Sequence, residues 1–167
     1  MLASCSLDGV LAFWNVQSGE RSGKLKFDSS LLTLSYLSNL SLLLAASGDC
    51  FLHFVNTIPP YTVFSSTHAK MSPKEHISTM KVDKSNRYLF LGGSEGQVQC
   101  YTVSNPNANN RRRKGARLGG GTHVGCMNNS LSYFASDILD LQAQWKAHDD
   151  DITALDYVEN SVVLDTF

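Results

Sequence analysis

The stretch LASCSLDGVLAFWNVQSGE, residues 2–20, decides how the rest of the chain is interpreted. Two short apolar runs, at 2–5 and 10–16, flank the turn sequence Ser6-Leu7-Asp8-Gly9. An Asp-Gly pair favours the positive backbone angles of a tight type I′ turn between antiparallel strands. The stretch therefore predicts a β-hairpin. Because its second run is apolar on both faces, we expect that strand to be buried between neighbouring sheets.

The same pattern occurs again further along the chain. A gapless shift of 41 positions gives five identities, in which Ser6, Asp8, Leu11, Phe13 and Asn15 fall on Ser47, Asp49, Leu52, Phe54 and Asn56. A gapless shift of 87 positions gives similar residues, in which Asp8-Gly9, Leu11, Trp14 and Val16 fall on Glu95-Gly96, Val98, Tyr101 and Val103. Three copies of one pattern predict a repeat architecture.

Further strands are predicted around each copy. Period-two alternation marks strands at 31–36, 77–82 and 152–157, and shorter strands are expected around 23–27, 61–65 and 141–145. Each repeat then holds four strands in a period of about 41 to 46 residues, which is typical of a β-propeller blade.

The residues of these copies resemble the WD-repeat family of β-propellers. Ser6-x-Asp8 is followed by Trp14-Asn15 where the family has Trp-Asp, and the segment 145–152, WKAHDDDI, is similar to its Gly-His start. The resemblance implies an all-β partial propeller of four-stranded antiparallel blades. In the family, a His, a Ser or Thr, an Asp and a Trp are linked by hydrogen bonds within a blade. By resemblance, Ser6, Asp8 and Trp14 belong to one such set, Ser47 and Asp49 to a second, and His148 to a third.

The resemblance also divides the chain. We expect a partial blade at 1–27, blades at 28–66 and 67–103, a basic Gly- and Asn-rich loop insertion at 104–136, and an outer strand with the start of a further blade at 137–167. Closed propellers carry four to eight blades, so this chain would not close alone. An uncapped blade face of roughly 500 Å² forfeits about 12 kcal/mol. We therefore expect a piece of a longer protein, or a product that is stable only against flanking blades or a partner surface.

Composition excludes several classes of protein. The net charge is −1, no apolar run reaches the ~18 residues of a membrane helix, and Met1 is not followed by a signal sequence. We expect a soluble cytoplasmic protein with no cofactor. The four cysteines lack metal-site spacing, Gly119-Gly120-Gly121-Thr122 lacks the lysine of a phosphate loop, and Asp149-Asp150-Asp151 is expected to be a solvated turn.

One basic cluster stands out within the insertion. It consists of Arg111, Arg112, Arg113, Lys114 and Arg117. Three interpretations remain: a solvated loop, a contact with an acidic partner surface, and a nuclear-localisation or nucleic-acid patch. The near-neutral remainder of the chain disfavours nucleic acid.

No catalytic motif is visible, because His53, His76 and His123 have no nucleophile in a strained turn near them in sequence. We therefore predict a non-catalytic scaffold whose loops bind proteins. The phrases KEHISTMKVDKSNRYLFLGGSEGQVQCYTV and WKAHDDDITALDYVE resemble large multi-propeller WD-repeat proteins of cilia and flagella. That resemblance implies axonemal microtubules, or their associated cytoskeletal proteins, as partners. Two alternatives stay open: a fragment of a propeller enzyme whose catalytic residues lie outside this segment, and a nucleic-acid or ubiquitin-pathway adaptor.

Overall fold

The computed structural model describes residues 1–72, 74–104 and 138–158, and every regular element in these ranges is a β-strand. The strands are β1 (Leu2–Cys5), β2 (Val10–Trp14), β3 (Arg21–Lys26), β4 (Leu31–Leu37), β5 (Leu42–Ser47), β6 (Phe51–Asn56), β7 (Val63–His68), β8 (Ile77–Val82), β9 (Tyr88–Gly93), β10 (Gln97–Val103) and β11 (Leu139–Lys146). The predicted all-β class is confirmed. Within the described ranges, the chain has no apolar helix of membrane-spanning length.

The strands form three antiparallel sheets. Sheet 1 contains β1–β3, sheet 2 contains β4–β7 and sheet 3 contains β8–β11, with the strands of each sheet side by side in chain order. The strands expected at 31–36 and 77–82 are β4 and β8, and the three short strands are β3, β7 and β11 with boundaries shifted by a few residues. Strand placement at these positions follows the local pattern, and the prediction is confirmed there.

The predicted hairpin is present, but the type I′ turn is wrong. Gly9 N–H donates to Ser6 O at 3.0 Å, and within the turn only Gly9 has a positive φ, of 77°. A type I′ turn needs positive φ at both central residues, whereas a left-handed residue after the turn is typical of a three-residue loop. The physical reason lies in Asp8, whose Oδ1 accepts the Val10 N–H at 2.9 Å and holds the local turn closed.

The three sheets share one backbone frame. The turn bond of Gly9 to Ser6 recurs from Cys50 N to Ser47 O and from Gly96 N to Gly93 O, with φ of 64° at Cys50 and 76° at Gly96. A register shift recurs at equivalent positions, between Phe13/Trp14, Phe54/Val55 and Cys100/Tyr101. A closing bond also recurs, from Phe27 N to Gly9 O, Ala69 N to Cys50 O and Ala147 N to Gly96 O. The sequence repeat is therefore a repeat of backbone geometry.

Two apolar clusters join the sheets through their early strands. Strand β1 contacts β4, and β4 packs against β8. Between sheets 1 and 2 lie the buried side chains of Leu11, Phe13, Leu31, Leu43 and Val55. Between sheets 2 and 3 lies a larger cluster that includes Leu44, Leu52, Phe54, Leu89 and Leu91. All six residues of β5 are buried, whereas the outermost strands β3 and β7 are mostly exposed, so the stabilising contacts concentrate on the inner strands.

The strand predicted at 152–157 is wrong, because these residues pair with no strand of the described chain. The 152–158 segment instead lies against sheet 3. Ile152 N donates to Gly93 O at 3.3 Å, Ser78 Oγ donates to Ile152 O at 2.7 Å, and Lys81 forms an ion pair with Asp156 at 2.9 Å. Single contacts of this kind do not make a ladder, so the segment is not a strand.

The predicted insertion at 104–136 lies outside the described residues, apart from Ser104. Its two flanks are described and lie side by side. Val103 pairs with Leu139, and Ser104 N donates to Ile138 O at 2.8 Å. The two described flanks of residues 105–137 are therefore adjacent at one end of the β10–β11 pair.

Candidate functional site

A polar network runs across sheet 2, and we call it the sheet 2 network. It joins Ser47 at the end of β5, Asp49 in the following turn, His53 in β6 and Ser66 in β7. The Ser47 hydroxyl donates to Asp49 Oδ1, His53 Nε2 lies 3.1 Å from Ser47 Oγ, and His53 Nδ1 lies 2.8 Å from Ser66 Oγ. Since His53 stands opposite Ser66 in the ladder, their side chains share one face of the sheet.

The structure brings Ser47 and Asp49 together as the resemblance implied, and it adds two residues that sequence reasoning missed. His53, for which the sequence shows no nearby nucleophile in a strained turn, is half-buried and has two hydroxyl partners. The signal that could have found them is the hairpin register, which sets His53 opposite Ser66.

Counting protons decides whether Ser47 and His53 could act as nucleophile and base. The Ser47 hydroxyl has one proton, which Asp49 accepts, and a second acceptor, Phe51 O, lies 3.2 Å away. Ser47 Oγ must then accept from His53 Nε2–H, which leaves Nδ1 to accept from Ser66. A base would need the opposite direction of donation. Ser47 is also fully buried, so its oxygen cannot meet a substrate.

Burial and hydrogen bonds together shift the pKa values of His53 and Asp49 in the sheet 2 network. It lowers the pKa of His53, and the nearby Asp49 carboxylate only partly opposes that shift. For Asp49, burial acts to raise the pKa, but hydrogen bonds from Ser47, its own backbone and Ser29, together with His53, hold that pKa below its usual range. The neutral ring and the ionised carboxylate both fit the donor directions derived above.

His53 should make folding stability depend on pH. Its folded pKa lies below the ordinary value of 6.5, so below pH 6.5 the unfolded chain takes up a proton that the folded chain does not. The free energy of unfolding then falls as the pH falls through this window. We expect the stability advantage of wild type over His53→Gln to shrink between about pH 7.5 and about pH 5, as measured by urea unfolding. An advantage that stays constant across this range would contradict the assignment.

In the set assigned to Ser6, Asp8 and Trp14, only Ser6 and Asp8 are linked. The Val10 N–H and the Ser6 side chain both lower the pKa of the Asp8 carboxyl through hydrogen bonds, whereas Trp14 has a different partner. Trp14 Nε1–H donates to Ser4 Oγ at 2.8 Å, whereas Ser6 Oγ accepts the Asp8 N–H at 3.4 Å. The register explains the correction. Trp14 pairs with Leu2 in β1, so the indole lies diagonal to Ser4, whereas Ser6 lies beyond the end of that strand.

His148 and the basic cluster complete the sequence-predicted residues. His148 is exposed, and its backbone N–H donates to Gly96 O at 3.1 Å. No side-chain hydrogen-bond partner for His148 is found among the described residues. Arg111, Arg112, Arg113, Lys114 and Arg117 lie outside the described residues.

Sheet 3 carries a different polar network at equivalent positions. Gln99 takes the place of His53, and Tyr101 takes the place of Trp14. Tyr101 O–H donates to Gln99 Oε1 at 2.8 Å and accepts the Lys70 N–H at 3.2 Å, while Gln99 Nε2 donates to Lys70 O at 2.7 Å. Burial raises the pKa of Tyr101, so the phenol remains a donor at neutral pH. This network fastens the chain after β7 to sheet 3.

In sheet 3, the Glu75 side chain fills the space that a serine side chain takes in sheet 2. At the position of Ser47, sheet 3 has Gly93, and a Cβ there would come closer than 3.0 Å to Glu75 Oε1. The Glu75 side chain is 3% exposed, and neither of its carboxyl oxygens has a hydrogen-bond partner among the described residues. A buried carboxyl without a partner opposes folding.

We expect Glu75→Met to stabilise the chain, because methionine keeps the length of the side chain without unpaired polar atoms. The expected gain in the free energy of unfolding is about 1 to 3 kcal/mol, measured by urea titration at fixed protein concentration. Glu95→Met is the matched control, since Glu95 is exposed and the change should be nearly neutral. A loss of stability in Glu75→Met would show that the carboxyl has a partner outside the described residues.

The described residues offer no evident metal site. No group of three or more His, Cys, Asp or Glu residues there is arranged to hold a metal ion. Asp149, Asp150 and Asp151 are exposed. Cys5, Cys50 and Cys100 are free thiols, and burial raises the pKa of each, which keeps them protonated.

Two of the cavities that the described residues form lie between strands of sheets 1 and 2. One, of about 320 Å³, is lined by Lys26, Phe27, Asp28, Ser29, Asp49, Phe51, His53 and Ser66. The other, which we call the edge groove, has a volume of about 460 Å³ and runs beside β1; it is lined by Met1, Leu2, Ala3, Phe13, Leu34, Ser35, Tyr36, Leu43 and Thr57. The first collects charges of both signs, whereas no side chain lining the edge groove is charged.

No protein-family model matches the chain, and a comparison with curated proteins finds no match.

Proposed function

We propose that this protein is a non-catalytic, WD-repeat-like β-propeller scaffold, in which stacked sheets hold loops that bind other proteins. The observation that carries the proposal is the shared frame of the three sheets, in which one turn, one register shift and one closing bond recur. A repeated frame gives a rigid support from which loops of any sequence can emerge.

The polar networks support the non-catalytic part of the proposal. In the sheet 2 network, the buried Ser47 hydroxyl lies within hydrogen-bond distance of His53 Nε2. That hydroxyl already donates its proton to Asp49. In sheet 3, Gln99 and Tyr101 use their polar atoms on each other and on the Lys70 backbone. Groups that satisfy one another in this way stabilise the packing of the sheets.

The propeller-enzyme alternative has one observation in its favour. The 320 Å³ cavity brings Lys26, Asp28, Asp49 and His53 to one place between sheets 1 and 2. Lys26 Nζ donates to Asp8 O and Asp49 accepts from Ser47, so two of the charged groups are already engaged. If this cavity binds a small molecule, native mass spectrometry of the purified chain will show a bound ligand that Ser66→Trp removes. The scaffold proposal expects no such ligand.

We propose axonemal microtubules, or proteins bound to them, as the partners, with the basic cluster as the contact to tubulin's acidic tails. The resemblance to ciliary and flagellar WD-repeat proteins supports this choice, as does the local charge of the cluster. The described residues on either side of 105–137 are held together, because Val103 pairs with Leu139 in sheet 3. Such an arrangement suits a contact carried by a rigid support.

Microtubule co-sedimentation tests this part of the proposal. We expect the full chain to pellet with microtubules, and to lose binding as salt rises from about 50 mM to about 200 mM. Neutralising Arg111, Arg112, Arg113, Lys114 and Arg117 to Gln should abolish pelleting, as should enzymatic removal of the acidic tubulin tails. The matched control neutralises five exposed residues elsewhere, namely Arg21, Lys24, Lys70, Lys74 and Lys84. Equal pelleting of the two variants, or none by wild type, would contradict the axonemal assignment.

A further inference from the structure

Strand β1 has one edge that pairs with no strand of the described residues, and an apolar groove lies beside it. Sheets 2 and 3 have four strands each and sheet 1 has three, so no described residue fills the place in sheet 1 that β4 and β8 take in their sheets. The edge groove lies at this place, against β4. Leu2 is 57% exposed and Tyr36 is 51% exposed on its walls. An uncovered strand edge of this kind is a template for another strand.

That edge of β1 has hydrogen-bonding groups that pair with no described strand. Ser6 N–H donates to Val10 O, toward β2. Because successive residues of a strand direct their backbone groups to opposite sides, the N–H and C=O groups of Ala3 and Cys5 point away from β2. They are the groups that an added strand would meet.

The 152–158 segment resembles a first strand of a sheet, and it pairs with no described strand. Its sequence ITALDY matches the β4 sequence LLTLSY in period and in the final tyrosine. Its first residue makes the same hydrogen bond as the first residue of β4. Ile152 N donates to Gly93 O in sheet 3, and Leu31 N donates to the equivalent carbonyl in sheet 1, Ser6 O. The segment is therefore placed as the first strand of a further sheet, and no described strand pairs with it.

Within one chain, sheet 2 lies between strand β1 and the 152–158 segment, so the two do not pair with each other. Strand β1 contacts β4, β4 packs against β8, and the segment lies on the β8–β9 side of sheet 3 through Ser78 and Lys81. We propose that the 152–158 segment of one copy enters the edge groove of a second copy, pairs antiparallel with its β1 and completes its sheet 1.

The repeat fixes the register of this pairing. In sheet 2, Leu31 stands opposite Ser47 and Thr33 opposite Ala46, and β9 faces β8 with the same shift. Carried over, the pairs across the two copies are Ile152 with Ser6, Ala154 with Cys5, Leu155 with Ser4, Asp156 with Ala3 and Tyr157 with Leu2. Leu155 and Tyr157 then take the positions of Leu34 and Tyr36, and they keep their place beside Phe90 of their own sheet 3.

The contact is head-to-tail, and each copy offers both halves of it. The described residues of two such copies together hold six sheets, which falls within the four to eight of closed propellers. This count rests on the proposed propeller architecture, whereas the pairing of the segment with β1 does not. We expect a dimer with twice the chain mass of 18.3 kDa in solution.

Disulfide trapping tests the register directly. Paired Cα atoms in an antiparallel ladder are about 4.5 to 5.5 Å apart, which a disulfide can bridge. Ala154→Cys should therefore cross-link to the native Cys5 of the other copy on mild oxidation of the full chain, giving a covalent dimer. The same change with Cys5→Ser should lose the cross-link. Leu155→Cys is the matched control, because its side chain faces the other side of the strand and pairs with Ser4.

A second variant checks the assembly without a cross-link. Ala3→Pro removes only an outward N–H, which an edge strand tolerates, so it should leave the β-sheet signal of circular dichroism intact and convert the dimer to a monomer. A monomeric wild type, a failure of Ala154→Cys to cross-link, or equal cross-linking by Leu155→Cys would overturn the proposed pairing. If these results occur while microtubule pelleting persists, the pairing alone is wrong. A Cys5-dependent cross-link supports the pairing whatever the pelleting result.

Discussion

Replacing Gly96 by alanine is expected to unfold the chain under conditions in which wild type is folded. Gly96 has a φ of 76°, and a Cβ there would fall closer than 3.0 Å to two backbone oxygens, those of His148 and Asp150. These oxygens cannot move away easily, because the N–H groups of Ala147 and His148 both donate to Gly96 O, at 2.9 and 3.1 Å. We expect a loss of more than about 4 kcal/mol in the free energy of unfolding.

Gly19→Ala is the matched control for this change. Gly19 has a similar φ of 71°, but a Cβ there meets no atom within 4 Å. The cost of a left-handed alanine alone is about 1 to 2 kcal/mol. Urea unfolding of the three proteins at one concentration separates the steric effect from the conformational one. Similar losses in Gly96→Ala and Gly19→Ala would show that the chain after β11 does not close over Gly96.

Phe54→Ala should cost about 3 to 5 kcal/mol of stability. Phe54 is fully buried in the cluster between sheets 2 and 3, where its ring lies among side chains of both sheets. Its loss leaves a cavity that the rigid frame of two packed sheets cannot close. Because the cluster joins the sheets, the variant also weakens their mutual packing.

Phe51→Ala on the same strand is the control for Phe54→Ala. Phe51 is 36% exposed and packs edge-on against His68 on the surface of sheet 2. We expect its loss to cost less than about 1.5 kcal/mol. Thermal unfolding should then show a clearly larger fall in Tm for Phe54→Ala. Equal falls would contradict the placement of Phe54 between the two sheets.

The features that the sequence predicted well depend on residues that are close together in the chain. The hairpin at Asp8-Gly9 and its repetitions at Cys50 and Gly96 depend on turn residues and period-two alternation within a short window. Those signals act between residues close in sequence, which is why β3, β7 and β11 were also found to within a few residues. The turn type was missed because the Asp8 carboxylate, and not the residue pair alone, decides it.

The side-chain hydrogen bonds between strands could not be predicted from short stretches of sequence. Trp14 bonds Ser4 and His53 bonds Ser66 because of the register between two strands, which no single strand specifies. The 152–157 alternation predicts the character of a strand correctly, but a strand also needs a partner ladder, which the described chain does not supply. Glu75 was missed altogether, since nothing in the local pattern marks a buried carboxyl.

The gradient of burial from β5 to the outermost strands has a dynamic consequence. Backbone amides exchange with solvent fastest where local opening costs least free energy. We therefore expect slow deuterium uptake in β5 and β9, and rapid uptake in β3, β7 and β11. Strand β11 also follows residues 105–137 in the chain, so we expect a ligand that binds those residues to slow the deuterium uptake of β11 first.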